Sequence, residues 1–328
     1  MVRRTVLGMT ATCVAVVLVV LAGCEPFTAL NDNALSTEDA AALKQMILSD
    51  PLFTSDPAVL NDGDAPSFSY TLGKTTTPIL PLHWGRRITS VSRDVVFDQP
   101  NDTTVIATLT HTFEGSVFIV AQYSTSDSAR TVIQKPLNEE IVRKIKFYRK
   151  ERSNTAAHRD SSHKGWKPAE VSASKGGTLN SQVVINKMEV TTGDETITIT
   201  DPTNYFFELG NSGWHLGRPM IVNIGLRRQI AVRVTLTSAD ADTDWVSVHR
   251  PLMVIAARLD VIKPIQERMK LVSQTQVGSS YERVYEASWN SMPVGRAAFF
   301  VTALTRSSLY DDQAAFSSQV WGVPYITE

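Results

Sequence analysis

Two histidines and a tryptophan in the first half of this 328-residue chain have the side chains of a ligand-binding site. His83, Trp84 and His111 could line a cavity, because apolar walls with a few polar groups are typical of small-molecule sites. A hydrolytic enzyme would bring the two histidines and an acidic side chain together in one closed cavity. His111 alternates with Leu109 and Phe113, however, so a place in a hydrophobic core is its alternative role.

Two further groups have the donor atoms of a metal site. The segment 158–163, HRDSSH, contains two histidines and an aspartate that could hold zinc, but basic residues on both sides would repel a cation. Asp240, Asp242 and Asp244 alternate as calcium ligands do, but Pro251 stands where a calcium loop has its bidentate glutamate. A solvated loop is the alternative for these carboxylates. We therefore assign no catalytic, cofactor-binding or metal-binding residue from the sequence.

The two cysteines, Cys13 and Cys24, both lie close to the N-terminus. Arg3 and Arg4 come first, and an almost uncharged run over Val6–Ala22 follows. A positive start, a short apolar middle and small residues at the end are typical of a secretory signal. As a membrane span the run has only the minimum length of about 17 residues. The pattern therefore predicts a signal peptide over residues 1–23.

The residues Leu21-Ala22-Gly23-Cys24 resemble the lipobox of bacterial lipoproteins. That resemblance implies cleavage before Cys24 and attachment of diacylglycerol to its thiol, which leaves no thiol for a disulfide or a metal site. Removal of Arg3 and Arg4 changes the formal net charge from −1 to −3, because residues 1–23 contain no acidic side chain. A net charge this small indicates no particular class of partner. Ordinary secretion and an uncleaved anchor are the alternatives.

The rest of the chain has the patterns of a mainly β protein with two domains. A tether at 24–35 leads to a small α+β domain at 36–175, built from a helix and a curved antiparallel sheet. An immunoglobulin-like β-sandwich is predicted at 180–328. Ser36-Thr37-Glu38-Asp39 predicts a capped helix that ends at Asp50-Pro51.

Period-two alternation predicts the strands. Over Val105–Phe113 the odd positions are mostly apolar and the even ones mostly threonine, so one face of this strand should pack. Glu114-Gly115 is the predicted hairpin turn, and Gly176-Gly177 is the predicted hinge between the domains. Further strands are predicted at 117–123, 141–150, 165–174, 183–191, 195–200, 230–237, 245–250 and 298–305.

Two parts of the chain resemble known folds. IVRKIKFYRKE (141–151) and GWKPAEVS (165–172) resemble the closing strands of nuclear transport factor 2-like domains, which implies a cone-shaped first domain. RAAFFVTALTRSSLYDDQAAFSSQVWGVPY (296–325) resembles the last hairpin of an immunoglobulin-like or fibronectin-like sandwich, with Trp245 as the buried tryptophan of an early strand. The paired cysteines of antibody domains are missing.

A basic stretch between Arg143 and Lys167 contains nine Lys or Arg residues. Phosphate neutralisation would make such a stretch a nucleic-acid site. Nucleic acid is scarce outside the cytoplasm, so no nucleic-acid partner is expected. Anionic lipid headgroups or a cell-wall polymer fit the predicted anchor better. A solvated strand face is the alternative.

The function that these patterns favour is that of a non-catalytic binding or adaptor protein of the bacterial envelope. It would be fixed to the membrane through Cys24 and would face an envelope protein or a cell-wall polymer. Glu25 is not the aspartate that retains lipoproteins at the inner membrane, so the outer membrane is favoured where the cell has one. The alternative is a ligand-binding or weakly hydrolytic enzyme with a cavity in the first domain. An exposed apolar patch would favour the former, and converging histidines the latter.

Overall fold

Two helices come first in the described part of the chain. The computed structural model describes residues 35–54, 78–124, 129–149, 165–209, 222–224, 228–256, 259–291 and 296–327. Helix α1 (Thr37–Ser49) begins where the sequence predicts, because the Ser36 side chain accepts a hydrogen bond from the backbone N–H of Asp39 at 3.1 Å. It ends before Asp50-Pro51, as predicted, and α2 (Pro51–Thr54) follows. No helix among these residues has the length and apolar character that a membrane span requires.

Strands make up most of the described residues, so the prediction of a mainly β protein is confirmed. The strands are β1 (Leu80–Asn101), β2 (Thr104–Gln122), β3 (Thr131–Arg149), β4 (Trp166–Ser172), β5 (Ser174–Thr178), β6 (Val183–Thr192), β7 (Glu195–Ile199), β8 (Phe206–Glu208), β9 (Val222–Ile224), β10 (Gln229–Ser238), β11 (Trp245–Ala256), β12 (Leu259–Arg268), β13 (Lys270–Val277), β14 (Ser280–Asn290), β15 (Arg296–Leu304) and β16 (Ser318–Thr327). A short helix, α3 (Arg306–Tyr310), lies between β15 and β16.

The strands form two sheets of different size. The large sheet has eleven strands. Eight of them follow the order β1-β2-β3-β5-β16-β15-β11-β12, and in addition β4 pairs with β3 and β8, and β9 pairs with β16. The small sheet has five strands in the order β13-β14-β10-β6-β7. The pairs are antiparallel, apart from β9 and β16, which run parallel. The chain enters the small sheet three times, between β5 and β6, between β9 and β10, and at Met269 between β12 and β13.

The domain boundary predicted between residues 175 and 180 falls inside the large sheet. Strand β5 pairs with β3, where Gly176 stands opposite Ile141, and with β16, where Gly176 stands opposite Val320. Strands from both predicted domains therefore share one sheet, and all described residues belong to one compact unit. The ranges 36–175 and 180–328 are not separated by a linker, because ladder hydrogen bonds join them directly.

Three glycines that were predicted to mark a turn and a hinge lie instead where two strands approach closely. Gly115 is in the middle of β2, which continues through the predicted turn, and a Cβ atom there would collide with the backbone of β1. A Cβ atom on Gly176 would collide with the backbone of β3, and one on Gly177 with the backbone of β16. Gly177 also has a φ of +134°, which glycine tolerates and other residues rarely adopt.

Strand β15 is buried on both of its faces. Phe299 and Val301 belong to the apolar cluster between the two sheets, together with Val232 of β10. Leu304 points the other way and shares a second cluster with Trp84 of β1. The large sheet thus curls until β1 and β2 face β11 and β15 across an interior.

Helix α1 covers the inner face of the other end of β2 and β3. Leu43 and Ile47 are fully buried and belong to one cluster with Val105 and Phe147. Amphipathic spacing in the helix and alternation in the strands produce this contact, because each presents one apolar face. An α-helix thus packs on the antiparallel strands β2 and β3.

Candidate functional site

The structure does not bring His83, Trp84 and His111 together. His83 is exposed, whereas Trp84 is 3% exposed and lies in the cluster with Leu304. His111 is 2% exposed and makes an edge contact with Phe113, with ring centroids 6.1 Å apart. Trp84 stands opposite Ile119, eight residues along β2 from His111, so about 27 Å of strand lies between them. His111 has the core position that was its alternative role.

Asp244, one of the three alternating aspartates, forms a fully buried ion pair. Its Oδ2 atom lies 2.6 Å from Nη1 of Arg283, and both side chains are 0% exposed. Burial raises the pKa of Asp244 to about 6, and the Arg283 guanidinium opposes this shift. The same guanidinium donates to the backbone carbonyl groups of Asp240 and Ala241, at 2.6 and 3.0 Å. The prediction of a solvated carboxylate is therefore wrong for Asp244.

The other two aspartates of this loop also have partners within the chain. Oδ2 of Asp240 accepts hydrogen bonds from the backbone N–H and the hydroxyl of Ser307, both at 3.1 Å. Asp242 lies 3.6 Å from the guanidinium of Arg306. Within the described ranges no group of three His, Cys, Asp or Glu side chains could hold a metal ion. The segment 158–163 lies outside the described residues, as does Cys24.

Contacts inside the protein engage four of the five described cations of the basic stretch, and the fifth, Lys167, is exposed. Arg143 is buried and donates to the backbone carbonyl groups of Leu52 and Phe53, which fastens α2 to β3. Lys146 lies 3.0 Å from Oε2 of Glu170. Two further cations contact polar side chains: Lys144 donates to Asn204, and Arg149 lies 3.8 Å from Asp39. These cations hold the fold together, which favours neither a lipid nor a polymer partner here.

A buried polar layer, which the sequence analysis missed, lies in the interior of the curled sheet. Arg86 forms an ion pair with Glu139, with 3.3 Å between Nη1 and Oε2, and Glu139 also accepts from the Ser318 hydroxyl. Ser247 and His249 lie on β11, on the opposite side of this interior, and the Ser247 Oγ atom is 3.3 Å from the His249 Nε2 atom. The alternation in β11 was a usable signal, since positions 245, 247 and 249 must share a face.

This polar layer is closed to substrates. Ser247 is 0% exposed and His249 is 1% exposed. Burial lowers the pKa of His249 to about 3, and the positive charge of Arg86 contributes. The imidazole is thus neutral at neutral pH. A serine beside a histidine resembles half of a hydrolytic site, but a nucleophile must reach its substrate.

A shallow trough of about 720 Å³ crosses the outward face of the small sheet. Its floor includes a row of small side chains, Thr191, Ala231 and Ser288, which stand in register on β6, β10 and β14. Neighbouring strands lie about 4.8 Å apart, so this row runs across the strands. No aromatic side chain occurs among the described residues that line it.

A row of charges with alternating sign borders the floor of the trough. Glu189, Arg233, Glu286 and Lys270 stand in register on β6, β10, β14 and β13. Arg233 lies 3.9 Å from Glu189 and 3.3 Å from Glu286. Exposed ion pairs of this kind contribute less than about 1 kcal/mol each, so a partner's charges can replace them. The trough is therefore a polar surface with exchangeable ion pairs.

Comparison with known proteins assigns no family to this chain. No family model matches it, and no curated protein matches it. Among solved structures, one of Extended-Synaptotagmin 2 that contains its SMP domain and two C2 domains gives a match with 9% identity. The match covers 88% of this chain and 97% of that chain, with a TM-score of 0.10. A TM-score this low supports no inference about fold or function.

Proposed function

We propose that this protein is a lipid-anchored protein of the bacterial cell envelope that binds a partner and catalyses no reaction. The observation that carries the anchor is the motif Leu21-Ala22-Gly23-Cys24 behind a short apolar run. Leu35, the first described residue, follows Cys24 by eleven positions, and this length of chain spans at most about 40 Å when extended. The folded body is thus held near the bilayer, and the outer membrane is favoured where one exists.

The trough on the small sheet supports the binding role. Small side chains form its floor, and charged side chains of both signs border it. Such a surface is suited to a hydrophilic polypeptide segment whose charges are complementary to those of the border. Sugar rings are commonly held by aromatic side chains, and none lines the trough in the described residues. We therefore favour an envelope protein over a cell-wall polymer as the partner.

The enzyme alternative has less support. His83 and His111 point into no common cavity, and the serine–histidine pair of the interior has no contact with solvent. The trough is polar and differs from the apolar patch expected of a binding protein, but it is an accessible surface with charges that a partner can match.

Two fold relationships belong to the same proposal. The packing of α1 on the curved sheet of β1, β2 and β3 is consistent with a nuclear transport factor 2-like origin for the first part of the chain. The face-to-face packing of β15 and β16 on β6 and β10 is consistent with an immunoglobulin-like origin for the second part. The large sheet, which contains strands from both parts of the chain, would then join the two folds.

Labelling with a fatty-acid probe tests the anchor. We expect the wild-type protein to take up the probe and the Cys24→Ser variant to lose it completely. Cys13→Ser is the matched control, because Cys13 lies in the segment that is removed. Uptake of the probe by the Cys24→Ser variant would refute lipidation at this residue.

A pull-down from solubilised envelopes tests the binding role. The intact lipoprotein should recover one stoichiometric protein, and Arg233→Glu, which breaks the charge pattern of the trough, should lose it. Lys44→Glu makes the same charge change on the exposed side of α1 and should retain the partner. Equal recovery by both variants would exclude the trough, and no recovery with the wild type would exclude the adaptor role.

A further inference from the structure

No described residue pairs with the outer edge of strand β1 over residues 90–98. This strand is the end strand of the large sheet, and within the described ranges it pairs only with β2. The backbone N–H and C=O groups on its other side are therefore available to a further strand. Residues 89–98 are exposed, apart from the half-buried Val95 and Phe97.

Two irregularities limit the usable part of this edge to nine residues. The register with β2 is unbroken from Ser90, opposite Glu114, to Asp98, opposite Ile106. Shifts in register occur between Ile88 and Ser90 and again after Asp98. Nine residues extend over about 30 Å, which is the length of a complete strand in globular proteins.

The two carboxylates of this segment have no partner of opposite sign in the described part of the chain. Val95 and Phe97 pack against the apolar cluster that contains Val105 and Phe147. Because side chains alternate along a strand, Asp94 and Asp98 lie on the opposite, outward face of β1. Among the described residues no Lys, Arg or His forms an ion pair with either carboxylate. Their neighbours directly across the pair in β2 carry no charge. Arg93 is the other charged residue of the segment, and alternation places it on the opposite face.

We propose that residues 90–98 of β1 are a docking site for an extended segment of a partner protein, which adds a strand to the large sheet. Backbone hydrogen bonds would provide affinity, and basic side chains of the partner opposite Asp94 and Asp98 would fix the register. The partner segment then has two basic residues four positions apart on one face. This site is separate from the trough and does not depend on the lipid anchor.

A second copy of the chain fits this edge poorly. An antiparallel pair that uses all nine residues must be centred on Asp94, because 90 and 98 are then opposite each other. Such a pair would place the two Asp94 carboxylates directly across from one another, and like charges in that position are destabilising. The charges on the outward face therefore favour a basic partner over self-association.

Two synthetic nine-residue peptides test the proposal on the full-length protein, purified in detergent from whole-cell extract so that its recovery does not depend on the anchor. Both alternate threonine and valine, and one carries lysine at its first, fifth and ninth positions where the other carries glutamate. Lysine then meets Asp94 and Asp98 in either strand direction. We expect the lysine peptide to bind roughly tenfold more tightly, since two exposed ion pairs replace two repulsions. It should also slow amide exchange within residues 90–98.

Charge reversal gives the control. The double variant Asp94→Lys/Asp98→Lys should prefer the glutamate peptide, while Asp194→Lys/Glu195→Lys, with the same change in net charge on the β6–β7 turn and β7, should behave as wild type. Equal effects of the two double variants would overturn the proposal, as would unchanged exchange at residues 90–98. A dimer in analytical ultracentrifugation that the neutral substitution Asp94→Asn strengthens would identify a second copy as the occupant and would also overturn it.

Discussion

At the residue scale, an arginine decides the structure of the loop that resembles a calcium site. Arg283 binds the Asp244 carboxylate and two backbone carbonyl groups of the same loop, while Ser307 and Arg306 bind the other two aspartates. The acidic spacing was visible in the sequence. Its partners were not, because Arg283 lies 39 positions beyond Asp244 and meets it only in the fold.

The Asp244–Arg283 pair makes a testable contribution to stability. Asp244→Ala leaves a buried guanidinium without its counter-ion, so we expect the free energy of unfolding to fall by about 3–5 kcal/mol. Asp242→Ala is the control, since its carboxylate is 41% exposed and the change should be less than about 1 kcal/mol. Urea unfolding at neutral pH measures both. Similar losses in the two variants would contradict a special role for the buried pair.

His249 should make the protein sensitive to acid. Its pKa is about 3 in the folded chain, because of burial and the Arg86 charge, against about 6.5 when unfolded. Between these values the unfolded chain binds a proton that the folded chain does not, so stability is complete above pH 6.5 and falls as the pH decreases. From pH 7 to 4 the loss due to this group is about 3 kcal/mol.

The variant His249→Gln isolates this effect. We expect its free energy of unfolding in urea to fall less between pH 7 and pH 4 than that of the wild type. Asp244 has a raised pKa and contributes with the opposite sign, but it does so in both proteins and cancels in the comparison. Parallel pH profiles would show that His249 is not the group responsible.

At the element scale, the alternation of apolar and polar residues correctly predicted which strand face packs, whereas glycines did not correctly predict the turn and the hinge. The predicted packed face of Val105–Phe113 is confirmed, since all five odd positions are buried. Gly115 and Gly176 were interpreted as turn and hinge, which is their commoner meaning. Their actual role depends on the strand that lies against them. That strand is set by pairings between distant residues, which a single sequence does not reveal.

The trough illustrates the same limit. Strands β6 and β10 were predicted from their local patterns, and alternation places Glu189 and Thr191 on one face. Strands β13 and β14, which supply Lys270, Glu286 and Ser288, were not predicted. The trough itself exists only because Thr191, Ala231 and Ser288 come into register. Sequence reasoning thus identified two of the central strands and their faces, and the order of strands in the sheet creates the site.

Gly176 should be intolerant of a side chain. Gly176→Ala places a methyl group against the backbone of β3, so we expect a loss of about 3 kcal/mol or failure to fold. Gly278→Ala is the control, because nothing lies within 4 Å of its Cβ position and only its φ of +61° opposes alanine. That strain amounts to about 1–2 kcal/mol. Urea unfolding compares the two, and an equal or smaller loss at Gly176 would refute the close approach.

At the scale of the whole molecule, the shared sheet should make unfolding a single event. Strand β5 joins strands from both halves, so neither half retains its neighbours when the other unfolds. We expect the urea transitions followed by far-ultraviolet circular dichroism and by tryptophan fluorescence to coincide. Tryptophans in both halves, including Trp84 and Trp321, report on the process. Two separate transitions would instead indicate independent domains.

The position of β16 in the centre of the large sheet has a consequence for biosynthesis. This strand follows every other described strand in the chain, yet β5 and β15 both pair with it. A nascent polypeptide cannot complete the sheet until residue 327 has left the ribosome. If the chain is exported as we propose, and export begins during synthesis, it enters the translocation channel before its halves are joined, in the unfolded condition that threading through such a channel requires.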